Sequence, residues 1–155
     1  MVSLLDVNLL IALAWPSHVH HQQALAWFHK NQPLGWATCP ITQSGFVRVS
    51  SNPRALPEAK SPQEALLLLQ RIVALPHHVF WQDDVSLATS GQFDISRLTG
   101  YRQVTDAHLV TLALHRRGCL ATFDGKIRSL IPRGHVASEV VRLVLEEGEE
   151  RRPPA

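Results

Sequence analysis

Short apolar runs rich in β-forming residues alternate with longer helical patterns along this chain. We predict strands at residues 2–5, 36–39, 78–81 and 119–123. The helical patterns cover residues 7–15, 40–49, 61–75 and 105–117, together with a segment that Ser17 would cap. Strands that alternate with helices form parallel sheets covered on both faces, so we expect an α/β protein with a central sheet of four to five strands.

Several helix ends are marked by residues with special roles there. Ser61 and Glu64 have the spacing of a capping box, and Pro62 suits the first turn. Thr105 is expected to cap the helix that follows it, and Gly118 is expected to end that helix.

The C-terminal part of the pattern is less regular. We expect short helices over 83–90 and up to Leu130, and a strand or helix around 136–145. The charged residues 146–155 are expected to be a disordered tail. Without repeats or a long linker, residues 1–145 are expected to be a single domain.

Composition excludes several classes of protein. A chain of 155 residues buries roughly 70% of its unfolded surface, so it needs no disulfide or structural metal to fold. Cys39 and Cys119 form no CxxC pair, which argues against a cysteine zinc site. Asp6 interrupts the apolar N-terminus, and no run approaches the roughly 18 apolar residues of a membrane span. We therefore expect a reduced, cytoplasmic protein with no membrane partner.

The charge is unevenly distributed. The formal net charge is +2, but residues 139–155 hold five acids and three bases. Residues 1–138 therefore carry 12 bases and eight acids. This basic body suits a polyanionic substrate.

Three of those eight acids lie at junctions between predicted strands and helices. Asp6 follows the first strand, Asp124 follows the strand at 119–123, and Asp106 lies at the start of the helix that leads into that strand. Ligands of open parallel sheets bind beyond the carboxyl ends of the strands. If the strands are neighbours, the three carboxylates converge on one edge of the sheet.

Converging carboxylates favour a bound cation, because like charges in one site raise each other's pKa. Oxygen ligands favour Mg²⁺ or Mn²⁺, which activate water and stabilise a phosphoryl oxygen. Each aspartate also has a simpler explanation. Asp6 can cap a helix, Asp106 can compensate a helix dipole, and Asp124 with Gly125 can form a turn.

The order and spacing of several short motifs resemble the PIN domain, and more narrowly the VapC-type toxins of bacterial toxin–antitoxin pairs. The motifs that carry the family resemblance are residues 4–8 (LLDVN), 105–109 (TDAHL) and 120–124 (LATFD). Those typical of the narrower group are residues 18–21 (HVHH), 37–48 (ATCPITQSGFVR) and 51–53 (SNP). The resemblance covers about residues 1–138.

The resemblance implies a three-layer α/β/α fold around a parallel sheet. It implies an endoribonuclease dependent on Mg²⁺ or Mn²⁺, usually a homodimer, that is inhibited by a cognate antitoxin. By position, Asp6, Asp106 and Asp124 match the metal-binding and catalytic acids of the family.

Gln43 departs from the family pattern, which usually has a glutamate at this position. A glutamine can hold a metal-bound water by hydrogen bonding, but it carries no charge and cannot act as a base. We therefore expect Gln43 to contribute to the site. We also expect the site to bind the metal more weakly than a site with four acids does. The alternative is that Gln43 is only a polar helix residue.

Basic and aromatic residues near these motifs are candidates for RNA binding, which needs cations for phosphates and aromatic faces for unpaired bases. Arg48 and Arg128 are the predicted substrate-binding residues, and Tyr101 beside Arg102 is a further candidate. The histidines at 18, 20 and 21 are interpreted as a solvent-facing helix start rather than a zinc site.

Two other functions compete with the ribonuclease. A phosphatase of the haloacid-dehalogenase type also has an aspartate after its first strand, but its second aspartate would fall at Asn8. A PIN module that binds RNA or protein without cleavage is the other alternative. Gln43 favours that module, whereas the three aspartates argue against it.

Overall fold

Five parallel strands form the sheet in the computed structural model, which describes residues 1–89, 91 and 93–145. In chain order they are β1 (Ser3–Leu5), β2 (Trp36–Thr38), β3 (His78–Phe80), β4 (Cys119–Thr122) and β5 (Val141–Leu143). Their spatial order is β3-β2-β1-β4-β5, and all neighbours are parallel. The predicted tail at 146–155 lies outside the described residues.

Helices connect the strands and cover the sheet. They are α1 (Val7–Ala14), α2 (His21–Asn31), α3 (Pro40–Ser50), α4 (Pro62–Val73), α5 (Val104–His115) and α6 (Ala137–Val140). Short 3₁₀ turns lie at Gln32–Leu34, Ile95–Arg97, Tyr101–Gln103 and Gly125–Leu130.

The core has two halves because successive strand residues point to opposite faces of the sheet. On one face, Leu5 and Ala121 pack with buried residues of α1 to α4. On the other face, Leu4 and Leu120 pack with α5, α6 and Ile127. The expected three-layer α/β/α arrangement is therefore confirmed.

The capping box before α4 is also confirmed. The Ser61 hydroxyl oxygen accepts the Glu64 N–H at 3.2 Å, and the Ser61 N–H donates to Glu64 Oε2 at 2.9 Å. In the described part of the chain, no helix combines the length and apolar character needed to cross a bilayer.

Other predicted helix ends are wrong. Ser17 does not cap α2, which begins after His20, because the Ser17 hydroxyl bonds Glu58 instead. Thr105 lies inside α5, since the preceding 3₁₀ turn runs directly into that helix. Residues 83–89 form no helix, and Ser90 lies outside the described residues. The segment at 136–145, which was expected to be a strand or a helix, contains one of each, namely α6 and β5.

Candidate active site

Two of the predicted site residues follow the central strands of the sheet. Asp6 comes directly after β1, and its N–H donates to the Ala121 carbonyl of β4 at 3.0 Å. Asp124 follows β4 by two residues. Because the strand order reverses between β1 and β4, this is the point of an open parallel sheet where ligands bind.

Asp6 is buried, with 7% of its surface exposed, and it caps α1. Its Oδ1 accepts the Val7 N–H at 2.7 Å, and its Oδ2 accepts the Thr122 hydroxyl at 2.8 Å. Burial raises the pKa of Asp6, the two hydrogen bonds oppose the rise, and the charge of Asp124 adds to it. The cap alternative is therefore correct for Asp6, and its second oxygen still faces β4.

Thr122 connects two of the aspartates. Its side-chain oxygen accepts the Asp124 N–H at 3.1 Å while its hydroxyl donates to Asp6. Thr122 is fully buried. Thr122 is not among the residues predicted from sequence, although a threonine inside an apolar strand two residues before Asp124 is a detectable signal.

Asp106 lies in the first turn of α5 and is half-buried. Burial is the main reason that its pKa rises to about 6, and the charges of Asp6 and Asp124 raise it further. The three carboxylates therefore interact electrostatically at one end of the sheet. Asp124 is exposed, and its Oδ1 accepts the Lys126 N–H at 2.8 Å, as the turn alternative expected.

The donor set fits a hard divalent cation. All three groups are carboxylates, and a cation would remove the repulsion that contributes to the raised pKa of Asp106. Among the described residues, no three His, Cys, Asp or Glu side chains are arranged closely enough to hold a metal ion.

Gln43 has its own partner within the fold. Its Nε2 donates to the Thr38 side-chain oxygen at 2.9 Å, and that oxygen lies 2.8 Å from His78 Nε2. Gln43 and Arg48 line a cavity of about 480 Å³ beside α4. The structure therefore places Gln43 and Arg48 along one cavity, whereas Asp106 and Asp124 line another.

The second cavity has a volume of about 310 Å³ and contains both carboxylates and cations. Its charged lining residues are Asp106, Asp124, Arg102 and Lys126. Arg128 lies two residues beyond Lys126 in the same 3₁₀ turn. Arg102 was a sequence candidate, whereas Lys126 was missed.

The histidines before α2 pack against the residue that precedes Asp124. The ring centroids of His18 and His20 lie 6.3 and 5.0 Å from that of Phe123. Burial lowers the pKa of His18, and His20 and His21 lower it further. The predicted helix start is confirmed, because His20 is the N-cap of α2 and His21 its first residue. The side chains are not fully solvent-facing, however, because His18, His20 and His21 are half-buried.

Comparison with known proteins found close relatives, although no protein-family model matches the chain. The chain is 51% identical over 129 residues to "Ribonuclease VapC38" of Mycobacterium tuberculosis, covering 83% of this chain and 89% of the relative. It is 45% identical over 127 residues to "Ribonuclease VapC39" of that species, covering 82% of this chain and 91% of the relative. It is 46% identical over 127 residues to "Ribonuclease VapC44" of that species, covering 82% of this chain and 89% of the relative.

Proposed function

The chain belongs to the VapC family of ribonucleases, and from this premise we propose that it is a toxin endoribonuclease dependent on Mg²⁺ or Mn²⁺. Its proposed substrate is single-stranded or structured RNA. Its proposed partners are a cognate antitoxin and a second copy of the chain in a homodimer. The family assignment also removes the phosphatase alternative.

One observation carries the proposal. Asp6, Asp106 and Asp124 interact at the switch point of the sheet, where burial and their mutual repulsion raise the pKa of Asp6 and of Asp106. Buried carboxylates that destabilise each other are costly unless a cation joins them. The neighbouring Arg102 and Lys126 suit a polyanionic substrate.

Asp6, Asp106 and Asp124 would hold the metal, which would activate water and stabilise a phosphoryl oxygen. Thr122 orients Asp6 through its hydroxyl and positions Asp124 through the backbone N–H. Asp106, with a pKa of about 6, must release its proton before it can act as a ligand. Metal loading should therefore improve between about pH 5 and 7.

Cleavage of a labelled single-stranded RNA by antitoxin-free protein tests the proposal. We expect cleavage with Mg²⁺ or Mn²⁺, none with EDTA, and none by Asp6→Asn with either metal. Circular dichroism and thermal unfolding of Asp6→Asn control for misfolding. A thermal shift with Mn²⁺ alone reports metal binding independently of activity.

The second candidate function is a non-catalytic PIN module. Gln43 favours it, because the amide at the usual glutamate position is uncharged and donates to Thr38. If the folded wild-type protein binds RNA but never cleaves it with either metal, this function replaces the nuclease.

A further inference from the structure

Two cations face two carboxylates across the cavity beside α5. Arg102 and Lys126 contribute the positive charge, while Asp106 and Asp124 contribute the negative charge. Within the described ranges, neither cation forms an ion pair with an acid. Both cations are therefore available for an anion other than these carboxylates.

The aromatic ring of Tyr101 is exposed next to Arg102, which lines this cavity. The residue is 81% exposed, so core packing does not explain it. Arg102 Nε donates to Tyr101 Oη at 3.2 Å, and the Arg102 Cζ lies 5.7 Å from the ring centroid. An exposed aromatic face next to a guanidinium is the combination that binds an unpaired base with its phosphate.

Hydrogen bonds hold both sides of the cavity in place. On one side, Gln103 Oε1 accepts the Thr99 N–H at 2.8 Å and the Gly100 N–H at 3.2 Å. On the other side, the Lys126 N–H donates to Asp124 at 2.8 Å. Arg102 and Lys126 therefore project from two supported turns.

We propose that this cavity is the subsite for one unpaired nucleotide next to the cleaved bond of the RNA. Arg102 and Lys126 hold its phosphate, and Tyr101 stacks on its base. The volume of about 310 Å³ suits one nucleotide rather than a duplex. The identity of the ligand as RNA rests on the proposed function. The choice of Arg102 and Lys126 rests on the lining of the cavity, and that of Tyr101 rests on its contact with Arg102.

Salt-dependent binding tests the two cations. The probe is a fluorescein-labelled 12-nucleotide RNA without secondary structure, measured in EDTA over a KCl series so that it stays intact. Arg102→Gln and Lys126→Gln should each make the slope of log K against log salt shallower by about 0.7. Arg102→Lys should keep the wild-type slope. Arg71→Gln, on the exposed face of α4, is the matched charge control.

The stacking role of Tyr101 is tested with the same RNA. Tyr101→Ala should weaken binding about 5- to 150-fold and leave the salt slope unchanged. Tyr101→Phe keeps the ring and should bind nearly as well as wild type. Tyr101→Ala should not weaken binding to a duplex of the same sequence. Phe80→Ala, at an exposed aromatic of β3, is the control for loss of a surface ring.

The proposal is overturned if Arg102→Gln and Lys126→Gln keep the slope of Arg71→Gln, or if Tyr101→Ala binds single-stranded RNA as wild type does. Cleavage of the RNA by wild type with Mn²⁺, measured in parallel, distinguishes failure of the subsite from failure of the proposed nuclease function. Cleavage without any change of slope removes the subsite alone. Altered slopes without cleavage support the subsite and remove the proposed nuclease function.

Discussion

The hydroxyl of Thr122 donates to Asp6 Oδ2 at 2.8 Å and so connects the ends of the two central strands. Its oxygen also accepts the Asp124 N–H, so one buried side chain orients two of the three aspartates. Thr122 is therefore a positioning residue for the candidate metal site.

Replacing Thr122 with valine removes this connection at nearly constant volume. We expect Thr122→Val to weaken Mn²⁺ binding by about 10- to 100-fold, as other losses of partners to metal ligands do. The pKa of Asp6 should rise further, because one of the hydrogen bonds that lowers it is lost. Isothermal titration with Mn²⁺ alone measures the affinity.

Thr122→Ser is the matched control, since it retains the hydroxyl. It should keep most of the Mn²⁺ affinity that Thr122→Val loses. Equal losses in the two variants would show that packing, rather than the hydrogen bond, explains the effect.

Asp106 predicts a pH-dependent stability. Its folded pKa is raised to about 6 from 3.8, so its charged form is disfavoured in the fold. Wild type should therefore lose stability as pH rises from about 4 to 6, relative to Asp106→Asn. Because Asp106 is half-exposed, we expect a difference of about 1–2 kcal/mol at pH 7.5.

Urea unfolding at pH 4, 5, 6 and 7.5 without metal measures this difference. Asp106→Asn should match wild type at pH 4 and exceed it at pH 7.5. Saturating Mn²⁺ should raise the free energy of unfolding of wild type at pH 7.5, and it should have less effect on that of Asp106→Asn. A difference that is the same at all four pH values would contradict the prediction.

The fold could be predicted from sequence where the deciding contacts are local. The Ser61 and Glu64 capping box depends on residues three apart, and the structure has it. Ser17 failed as a cap because its hydroxyl bonds Glu58, which lies 41 residues away. A local pattern carries no information about such a distant partner.

The candidate site shows the same division. Asp6, Asp106 and Asp124 could be selected because each stands at a strand–helix junction in an apolar context. Their mutual repulsion and their link through Thr122 depend on β1 lying beside β4, which the sequence does not reveal. The partner of Gln43 was missed for a different reason, because Thr38 lies only five residues before it and contacts it across the start of α3.

Gly118 follows α5, but not for the predicted reason. The left-handed residue is Arg117, with φ of 53°, so Gly118 is not the positive-φ cap. A Cβ at Gly118 would lie 2.6 Å from the Val2 carbonyl oxygen and would overlap the Trp81 ring. Gly118→Ala should therefore destabilise the protein by about 1–3 kcal/mol, because the ring and the backbone must shift.

Gly100→Ala is the control for this substitution, since nothing lies within 4 Å of a Cβ at that position. Its free energy of unfolding should stay close to that of wild type in urea. A neutral Gly118→Ala would mean that Trp81 moves aside at little cost.

Substitution of Gln43 tests whether the candidate site binds metal more weakly than a site with four acidic residues. Gln43→Glu replaces the amide that donates to Thr38 with a carboxylate at the position where the family usually has a glutamate, and we expect Mn²⁺ affinity to rise about tenfold. Without metal the variant should be less stable than wild type, because the new carboxylate cannot donate to Thr38 and adds negative charge.

The control for added charge is Ser44→Glu, at the exposed neighbouring position of α3. It changes the net charge equally but should raise Mn²⁺ affinity much less, because screening weakens the effect of an exposed charge. If wild type and Gln43→Glu have equal affinities, the amide at this position does not limit metal binding. An equal gain in Mn²⁺ affinity in both variants would mean that the added net charge, rather than a new metal ligand, explains the gain. Only a gain confined to Gln43→Glu supports a fourth ligand position at the start of α3.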